Sequence, residues 1–443
     1  MSDMALKRVS VIGLGYIGLP TAAMFASRKI EVIGVDVDEE TVETINNGEV
    51  HIVEPDLDIV VKSAVDAGLL KATTQPEKAD AFLIAVPTPF KGDNHEPDLS
   101  YIEAASRDIA PMLEPGNLVI LESTSPVGAT EQMAEWLAEE RSDLTFPQTH
   151  GEESDIRIAH CPERVMPGQV MKELIANDRV IGGMTRRCSE RAVALYKTFA
   201  EGECVITNTR TAEMAKLTEN SFRDVNIAFA NELSMICDEL DINVRELINL
   251  ANRHPRVNIL SPGPGVGGHC IAVDPWFIVG KTPDKAKIIR TARDVNNYKP
   301  EWVIKKIEAV CLQVAENLGV SPSDLTIGCL GLAFKANIDD LRESPALAIA
   351  SRLTKLECGR VLACEPNILS APQLLSGLEL VDLESILNRA DVLVGLVNHT
   401  EFRAFGKVNH PEKVFIDFAG VFERDRRQKT TMNMKKNTRA VAI

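Results

Sequence analysis

The stretch Val9-Ser10-Val11-Ile12-Gly13-Leu14-Gly15-Tyr16-Ile17-Gly18 joins a β-branched run to a helix-forming segment through three glycines spaced GxGxxG. Gly13 suits a tight turn, Gly15 lets a pyrophosphate approach the backbone where the helix starts, and Gly18 allows close helix–strand packing. A second run, Glu31-Val32-Ile33-Gly34-Val35-Asp36, ends on a carboxylate 36 − 18 = 18 residues beyond Gly18. There a carboxylate hydrogen-bonds the adenosine ribose hydroxyls and repels the additional phosphate of NADP. The glycine spacing alone is a weak signal. Strand, turn, helix, second strand and terminal Asp together predict a βαβ unit that binds NAD.

The same segment has a competing reading, because Lys7-Arg8 precedes an apolar stretch over 9–26 as in a secretory signal. Three glycines and Pro20 interrupt that stretch and a second strand follows at once, so the βαβ unit is preferred and a cytoplasmic protein is expected.

Outward from this unit, β-branched runs at 81–86, 118–122 and 157–159 alternate with helical patterns to about residue 210, which predicts a doubly wound parallel sheet. Neither Gly nor Pro occurs over 211–241, where Leu217, Val225, Ala228, Phe229, Leu233 and Ile236 recur at three- and four-residue steps. That is one long helix of roughly 45 Å, a connector or a dimer element. A Gly/Pro-rich loop over 258–275 breaks the helical pattern and lets backbone approach a ligand. After further helix to about residue 318, a second alternation follows: a strand at 326–332, a helix at 344–356, and strands at 361–364, 392–397 and 414–417. The predicted class is α/β, two Rossmann-like doubly wound domains joined by a long central helix. The parts are 1–210, 211–320 and 321–422, followed by a basic, disordered tail over 423–443.

The totals restrict partners. Over 443 residues, 48 Lys and Arg against 64 Asp and Glu leave a formal charge of −16, which argues against nucleic-acid and anionic-membrane binding. Nine cysteines without a CxxC pair point to free thiols in a reducing compartment, and to no metal site.

Several motifs admit two readings. Val86-Pro87-Thr88-Pro89 and Ser123-Thr124-Ser125-Pro126-Val127-Gly128 follow strands at the sheet edge where ligands bind, yet Thr-Pro and Ser-Pro are also ordinary turn pairs. Lys216, Asn220 and Arg223 share one helix face, either a solvated stripe or a polar site. Cys270 follows Gly267-Gly268-His269 and precedes Asp274 by four residues. A free cysteine is commonly a small buried hydrophobe, but this setting of glycines and a carboxylate favours chemistry.

Taken in chain order, Gly13–Gly18, Pro87-Thr88-Pro89, Ser123–Gly128, Cys161-Pro162-Glu163-Arg164, Lys216-Leu217-Thr218-Glu219-Asn220 and Gly267-Gly268-His269-Cys270 resemble the UDP-glucose/GDP-mannose dehydrogenase family over residues 7 to about 421. The resemblance implies an NAD domain, a central helical dimerisation region and a UDP-binding domain, assembled as a homodimer. It implies Cys270 as nucleophile, Lys216 as proton donor or acceptor, and Asp274, Glu163, Asn220 and Thr124 as supports for water and oxyanion. NAD contacts would come from Gly13, Gly15, Tyr16, Ile17, Gly18, Asp36, Thr88, Thr124, Thr130 and Arg342. The sugar nucleotide would meet Arg164, Val165, Lys216, Asn220, Arg223, His254, Arg256, Gly267, Phe334, Lys335 and Arg342. One departure concerns Ala419-Gly420, where relatives often carry a basic residue in place of Ala419.

The stretches Pro162–Gly168 and Arg253-His254-Pro255-Arg256-Val257-Asn258 further imply a UDP-N-acetylhexosamine as substrate. UDP-N-acetyl-D-mannosamine is expected, with UDP-N-acetyl-D-glucosamine the alternative. The implied reaction is a four-electron oxidation at C6 by way of a Cys270 thiohemiacetal and thioester. Free thiols titrate near about 8.5, so a nearby Lys216 cation would stabilise thiolate and oxyanion, whereas Asp274 opposes thiolate by charge and is assigned to water. A one-step Rossmann dehydrogenase, which needs no cysteine, and a non-catalytic NAD sensor are the competing classes.

Overall fold

The computed structural model describes residues 6–92, 95–268, 270–356, 358–368, 378–402 and 413–422. The chain divides into two compact units, Met1–Glu219 with Trp276–Pro283, and Asn220–Pro275 with Asp284–Ile443.

The first unit is built on β1 (Arg8–Ile12), β2 (Glu31–Val35), β3 (Leu70–Thr73), β4 (Ala81–Ile84), a small hairpin of β5 (Phe90–Lys91) and β6 (Glu96–Pro97), β7 (Leu118–Leu121), β8 (Arg157–His160), β9 (Arg179–Gly183) and β10 (Cys204–Asn208). Apart from the hairpin they form one sheet in the order β10-β9-β8-β7-β4-β1-β2-β3. The strands from β8 to β3 run parallel, as expected, but β9 pairs antiparallel to β8, and β10 follows β9. An antiparallel margin on a parallel sheet is common, and strand direction leaves no mark in the residues of the strand itself.

Both faces of this sheet are covered. Helix Gly18–Ser27 is buried along nearly its whole length because its small residues let it sit between the sheet and helices Leu57–Asp66 and Val170–Ala176. Phe25, fully buried beside Val9, Val32 and Tyr196, is the packing centre of that face, and its truncation to Ala should cost about 3–5 kcal/mol. On the other face Ile102, Ile109, Met133 and Leu137 close a second cluster. With both faces filled, the loops after β1, β4 and β7 are left to carry function.

The second unit holds β11 (Thr326–Leu330), β12 (Arg360–Cys364), β13 (Glu379–Leu380), β14 (Val392–Gly395) and β15 (Val414–Asp417), all parallel, in the order β13-β12-β11-β14-β15. The long helix is Thr209–Glu239, 31 residues, two residues earlier at each end than its apolar period suggests. A second long helix, Lys287–Leu318, runs 32 residues through Pro300 and ends at Gly319 with φ +67°.

Within this unit the two long helices meet along a buried polar seam. Arg293 donates to Asp224 Oδ1 at 2.7 Å, Asn296 Nδ2 to the same oxygen at 2.8 Å, Asn231 Nδ2 to Asn296 Oδ1 at 2.9 Å, and Lys299 Nζ to Ser234 Oγ at 2.6 Å. Burial pushes the Lys299 ammonium down to about 7, and it lies 3.7 Å from the centre of the Trp302 ring. Asn231 Oδ1 also accepts the amide of Gly263 at 2.9 Å, which fastens the Gly/Pro-rich loop to the helices. The basic stretch 423–443 and His269 lie outside the described residues.

Candidate active site

In the first unit, Gly13 has φ +89°, and a Cβ there would stand 2.7 Å from the Ala85 carbonyl oxygen. At Gly18 a Cβ would collide with the Gly13 carbonyl oxygen at 1.7 Å, so only glycine lets the helix start this close to the strand. A Cβ on Gly15 would meet no protein atom within 4 Å, so packing does not demand that glycine and it keeps the backbone open to a ligand. No side chain caps helix Gly18–Ser27 at Ile17, leaving its positive end for an anion. Asp36 accepts from Leu14 N at 2.8 Å and from Asp38 N at 3.1 Å. These residues fit NAD: the turn and helix end would hold the pyrophosphate, and Asp36 the ribose.

The loops after β4 and β7 are tied to each other. Thr88 Oγ1 donates to the Thr124 carbonyl at 2.5 Å, and Ser123 Oγ to the Val86 carbonyl at 2.7 Å. The Thr88 hydroxyl thus positions the loop bearing Thr124. Thr130 is fully buried, and its amide and hydroxyl both go to Glu213 Oε1, at 2.8 and 2.6 Å, while Gly128 N donates to Glu213 Oε2 at 2.7 Å. A carboxylate from the long helix therefore caps helix Ala129–Glu140, unlike helix Gly18–Ser27.

Beyond β8 lies a buried ionic cluster that local spacing does not reveal. Glu163 Oε2 accepts from Arg179 at 3.1 Å, with the two side chains 7 % and 4 % exposed, and Glu163 Oε1 accepts from Arg164 N at 2.7 Å. The Arg179 guanidinium lies 4.5 Å from the centre of the Tyr196 ring, whose hydroxyl donates to Glu122 at 2.6 Å. Burial first, then the nearby Glu163 charge, push the Glu122 carboxyl up to about 7. Arg164 itself is held by Glu219 at 2.6 Å and the Asp178 carbonyl at 3.2 Å. Val165 packs on the first unit's core, and Lys216 is half-buried on the long helix.

The second unit contributes the other candidates. Of the nine cysteines, Cys270 alone is exposed, whereas burial pushes Cys161, Cys311, Cys329 and Cys364 each up to about 12. The Cys270 carbonyl accepts the Asp274 amide at 2.8 Å where helix Asp274–Lys281 begins. Asp274 is buried, and its carboxylate accepts from the Asn220 side chain. Asn220, Asp274 and the Cys270 backbone are thus brought together. Arg223, His254, Arg256, Lys335 and Arg342 are exposed, and Phe334 is half-buried. Gly267 lies against Phe334, whose Cβ is 2.8 Å from where a Gly267 Cβ would be. At Ala419-Gly420 the guanidinium comes from elsewhere in the chain: Arg245 reaches within 3.9 Å of Asp417 and crowds the position of a Gly420 Cβ at 2.5 Å.

Three family profiles match the chain in order. They are described as the NAD binding domain (residues 7–200), the central domain (210–298) and the UDP binding domain (328–424) of the UDP-glucose/GDP-mannose dehydrogenase family. The chain is 63 % identical over 420 residues to the UDP-N-acetyl-D-mannosamine dehydrogenase of Escherichia coli K12, covering 95 % of this chain and all of that one. It is 59 % identical to an NDP-N-acetyl-D-galactosaminuronic acid dehydrogenase of Ralstonia nicotianae, covering 96 % and 98 %. A solved UDP-D-ManNAc dehydrogenase from Pyrococcus horikoshii superposes with a TM-score of 0.83 at 38 % identity, covering 98 % of each chain.

Proposed function

Because the chain belongs to the UDP-glucose/GDP-mannose dehydrogenase family, we propose that it oxidises UDP-N-acetyl-D-mannosamine at C6 to UDP-N-acetyl-D-mannosaminuronate, acting as a homodimer in the cytoplasm. The observation that carries this reading is Cys270, the exposed one of nine cysteines, at the end of a glycine loop. A one-step dehydrogenase has no use for such a thiol.

Bound NAD⁺ supplies the hydride acceptor for each of two oxidations. Removal of hydride and proton from the C6 alcohol gives an aldehyde, and the Cys270 Sγ adds to its carbon to form a thiohemiacetal. A second loss of hydride and proton leaves a thioester. Water then attacks the acyl carbon, the C–S bond breaks, and carboxylate and thiol are released. Per sugar, two NAD⁺ and one water give one carboxylate, two NADH and three protons.

Lys216 is assigned the proton transfers, with its cation favouring thiolate and oxyanion. Asn220 orients Asp274, consistent with the hydrogen bond between them, and Asp274, Glu163 and Thr124 are assigned to water and oxyanion. Arg164, Val165, Arg223, His254, Arg256, Phe334, Lys335 and Arg342 are assigned to the sugar nucleotide, with the three parts bounded at 1–210, 211–320 and 321–422. Dimerisation is supported by Phe222, Phe229 and Ile236, exposed at 70 %, 52 % and 45 % and seven residues apart on the long helix, hence on one face. Nine free cysteines fit a reducing compartment, and no described helix is long and apolar enough to cross a membrane. The deciding assay is NADH formed per UDP-sugar consumed. Two is expected, one would indicate a one-step dehydrogenase, and none an NAD sensor.

A further inference from the structure

The two units repeat one device and finish it differently. β1 and β11 each run into a glycine with φ +89°, Gly13 and Gly331. Each glycine amide donates to the last residue of the neighbouring strand, Gly13 N to Val35 O at 2.8 Å and Gly331 N to Cys364 O at 2.9 Å. Each of those strands is followed by an acid that takes amides from the turn. Asp36 accepts Leu14 N at 2.8 Å, and Glu365 Oε2 accepts both Leu332 N at 2.7 Å and Ala333 N at 2.9 Å. Beyond this point the units part. Helix Gly18–Ser27 begins 18 − 13 = 5 residues after its glycine, but helix Pro345–Leu353 begins 345 − 331 = 14 residues after its own. The extra segment carries Phe334, Lys335 and Arg342.

A loop of that length without a helix of its own loses conformational entropy when it is held in one shape, so it needs ties. Both ends of the Phe334-Lys335 segment are tied to one buried pair. On the near side Glu365 holds the Leu332 and Ala333 amides. Glu365 also bonds His399 Nε2 at 3.1 Å, and both side chains are 0 % exposed. On the far side His399 Nδ1 accepts the Asn337 amide at 3.0 Å. Because Nδ1 accepts, the network assigns the proton to Nε2, which donates to Glu365. Asn337 sits at φ +62° with its side-chain oxygen taking Thr400 N at 2.8 Å. Burial opposes charge on Glu365, but His399 and the two amides outweigh it and hold the carboxyl below its usual range. The pair reaches further: the Phe334 ring lies 3.0 Å from where a Gly268 Cβ would be, and Gly268 N donates to Arg342 O at 3.3 Å, two residues before Cys270.

We propose that Glu365 and His399 are a positioning pair that sets the 332–342 loop so that Lys335 receives the diphosphate of the nucleotide sugar, while the Arg342 guanidinium is held by Asp340 at 2.6–3.0 Å. The second unit has thereby given the amides of its glycine turn to its own acid, and anion recognition passes from helix amides to the Lys335 side chain. This inference rests on the proposed function for the identity of the ligand.

The test uses the full chain and UDP as probe, with affinities measured by calorimetry. His399→Phe removes the hydrogen bonds to Glu365, Asn337 and Asn367 at similar volume, and Asn337→Gly keeps the positive φ while removing the tie to Thr400, a milder change if the first variant folds poorly. UDP affinity should fall tenfold or more in His399→Phe and severalfold in Asn337→Gly, with NAD⁺ affinity within twofold of wild type. A double variant separates positioning from general damage: Lys335→Met with His399→Phe should bind UDP within twofold of Lys335→Met alone. Unchanged UDP affinity in His399→Phe, equal losses for UDP and NAD⁺, or multiplicative losses in the double variant would each overturn the proposal. Turnover of UDP-sugars is measured separately, so weakened UDP binding in His399→Phe supports the pair even if the sugar reading fails, and unaltered binding sinks the pair even if that reading stands.

Discussion

The backbone N–H of Leu14 donates to Asp36 Oδ2 at 2.8 Å, so the carboxylate that follows β2 is locked to the glycine turn that follows β1. A carboxylate fixed there meets the adenosine ribose of a bound dinucleotide and stands against a 2′-phosphate. We expect kcat/KM for NAD⁺ to exceed that for NADP⁺ by at least about tenfold, about 1.4 kcal/mol. Asp36→Asn, which keeps an oxygen for Leu14, should narrow the ratio. Equal values for the two cofactors in wild type would remove the assignment.

Cys270 differs from the other eight thiols in being exposed. Brief treatment with iodoacetamide should therefore label one cysteine per chain, and peptide mass analysis should find it at Cys270. Cys270→Ala should abolish uronate formation while leaving NAD⁺ affinity and melting temperature close to wild type. Uronate produced by that variant at the wild-type rate would end the covalent mechanism.

Arg179 neutralises Glu163 inside the protein, so Arg179→Met leaves a buried carboxylate without its counter-charge and should cost about 3–5 kcal/mol of stability. Glu122 predicts the opposite kind of effect. Its carboxyl titrates at about 7 in the fold against 4.5 in the open chain, so the native state binds its proton more tightly. The stabilisation is full below the unfolded value and is lost as pH rises through the folded one, by roughly 3 kcal/mol over the window. Urea unfolding at pH 5 and pH 8 should show Glu122→Gln gaining stability relative to wild type at the higher pH. A constant difference between the two proteins would show that Glu122 is ionised throughout.

The exposed Phe222, Phe229 and Ile236 stripe gives the dimer reading its test. Phe229→Asp places a charge in the middle of the stripe and should shift sedimentation toward monomer at micromolar concentration. A wild type that sediments as monomer, or a variant indistinguishable from a dimeric wild type, would dismiss that face as the interface.

What the sequence made legible follows from the range of the interactions involved. Gly13, Gly18 and Asp36 act within one βαβ unit, so their spacing is constrained by local geometry and could be read directly. The long helix likewise declared itself through its apolar period, two residues from its observed ends. By contrast Glu122 and Tyr196 are 74 residues apart, and Gly128 and Glu213 85, and no periodicity links partners brought together by tertiary packing. The antiparallel turn from β8 to β9 was hidden for the same reason. Thr88 illustrates the intermediate case: its place at a strand end was readable, but not that its hydroxyl would be spent on Thr124 O.

The sugar is the hardest expectation, since every UDP-hexose offers the same C6 alcohol and the fold is indifferent to C2. Relatives favour mannosamine: a protein named for that chemistry is 63 % identical to this chain and a solved one superposes with a TM-score of 0.83, while one named for galactosaminuronate chemistry is 59 % identical. Arg164-Val165 and 253–258 are the stretches that bear on C2. Arg164 is held by Glu219 and the Asp178 carbonyl, so its backbone and Val165 are presented in one geometry rather than many. An acetamido group at C2 is larger than a hydroxyl and brings one donor and one acceptor. A pocket shaped for it leaves polar groups unpaired with UDP-glucose, at about 1–3 kcal/mol for each buried group. We therefore expect kcat/KM for UDP-glucose to lie at least about tenfold below that for UDP-N-acetyl-D-mannosamine. The C2 epimer, UDP-N-acetyl-D-glucosamine, carries the same groups in another direction and should fall between them. Purified enzyme with NAD⁺ and each of the three sugars separately gives the ranking: a lead for UDP-N-acetyl-D-glucosamine would reassign the epimer, and a lead for UDP-glucose would show that these two stretches do not form an acetamido pocket.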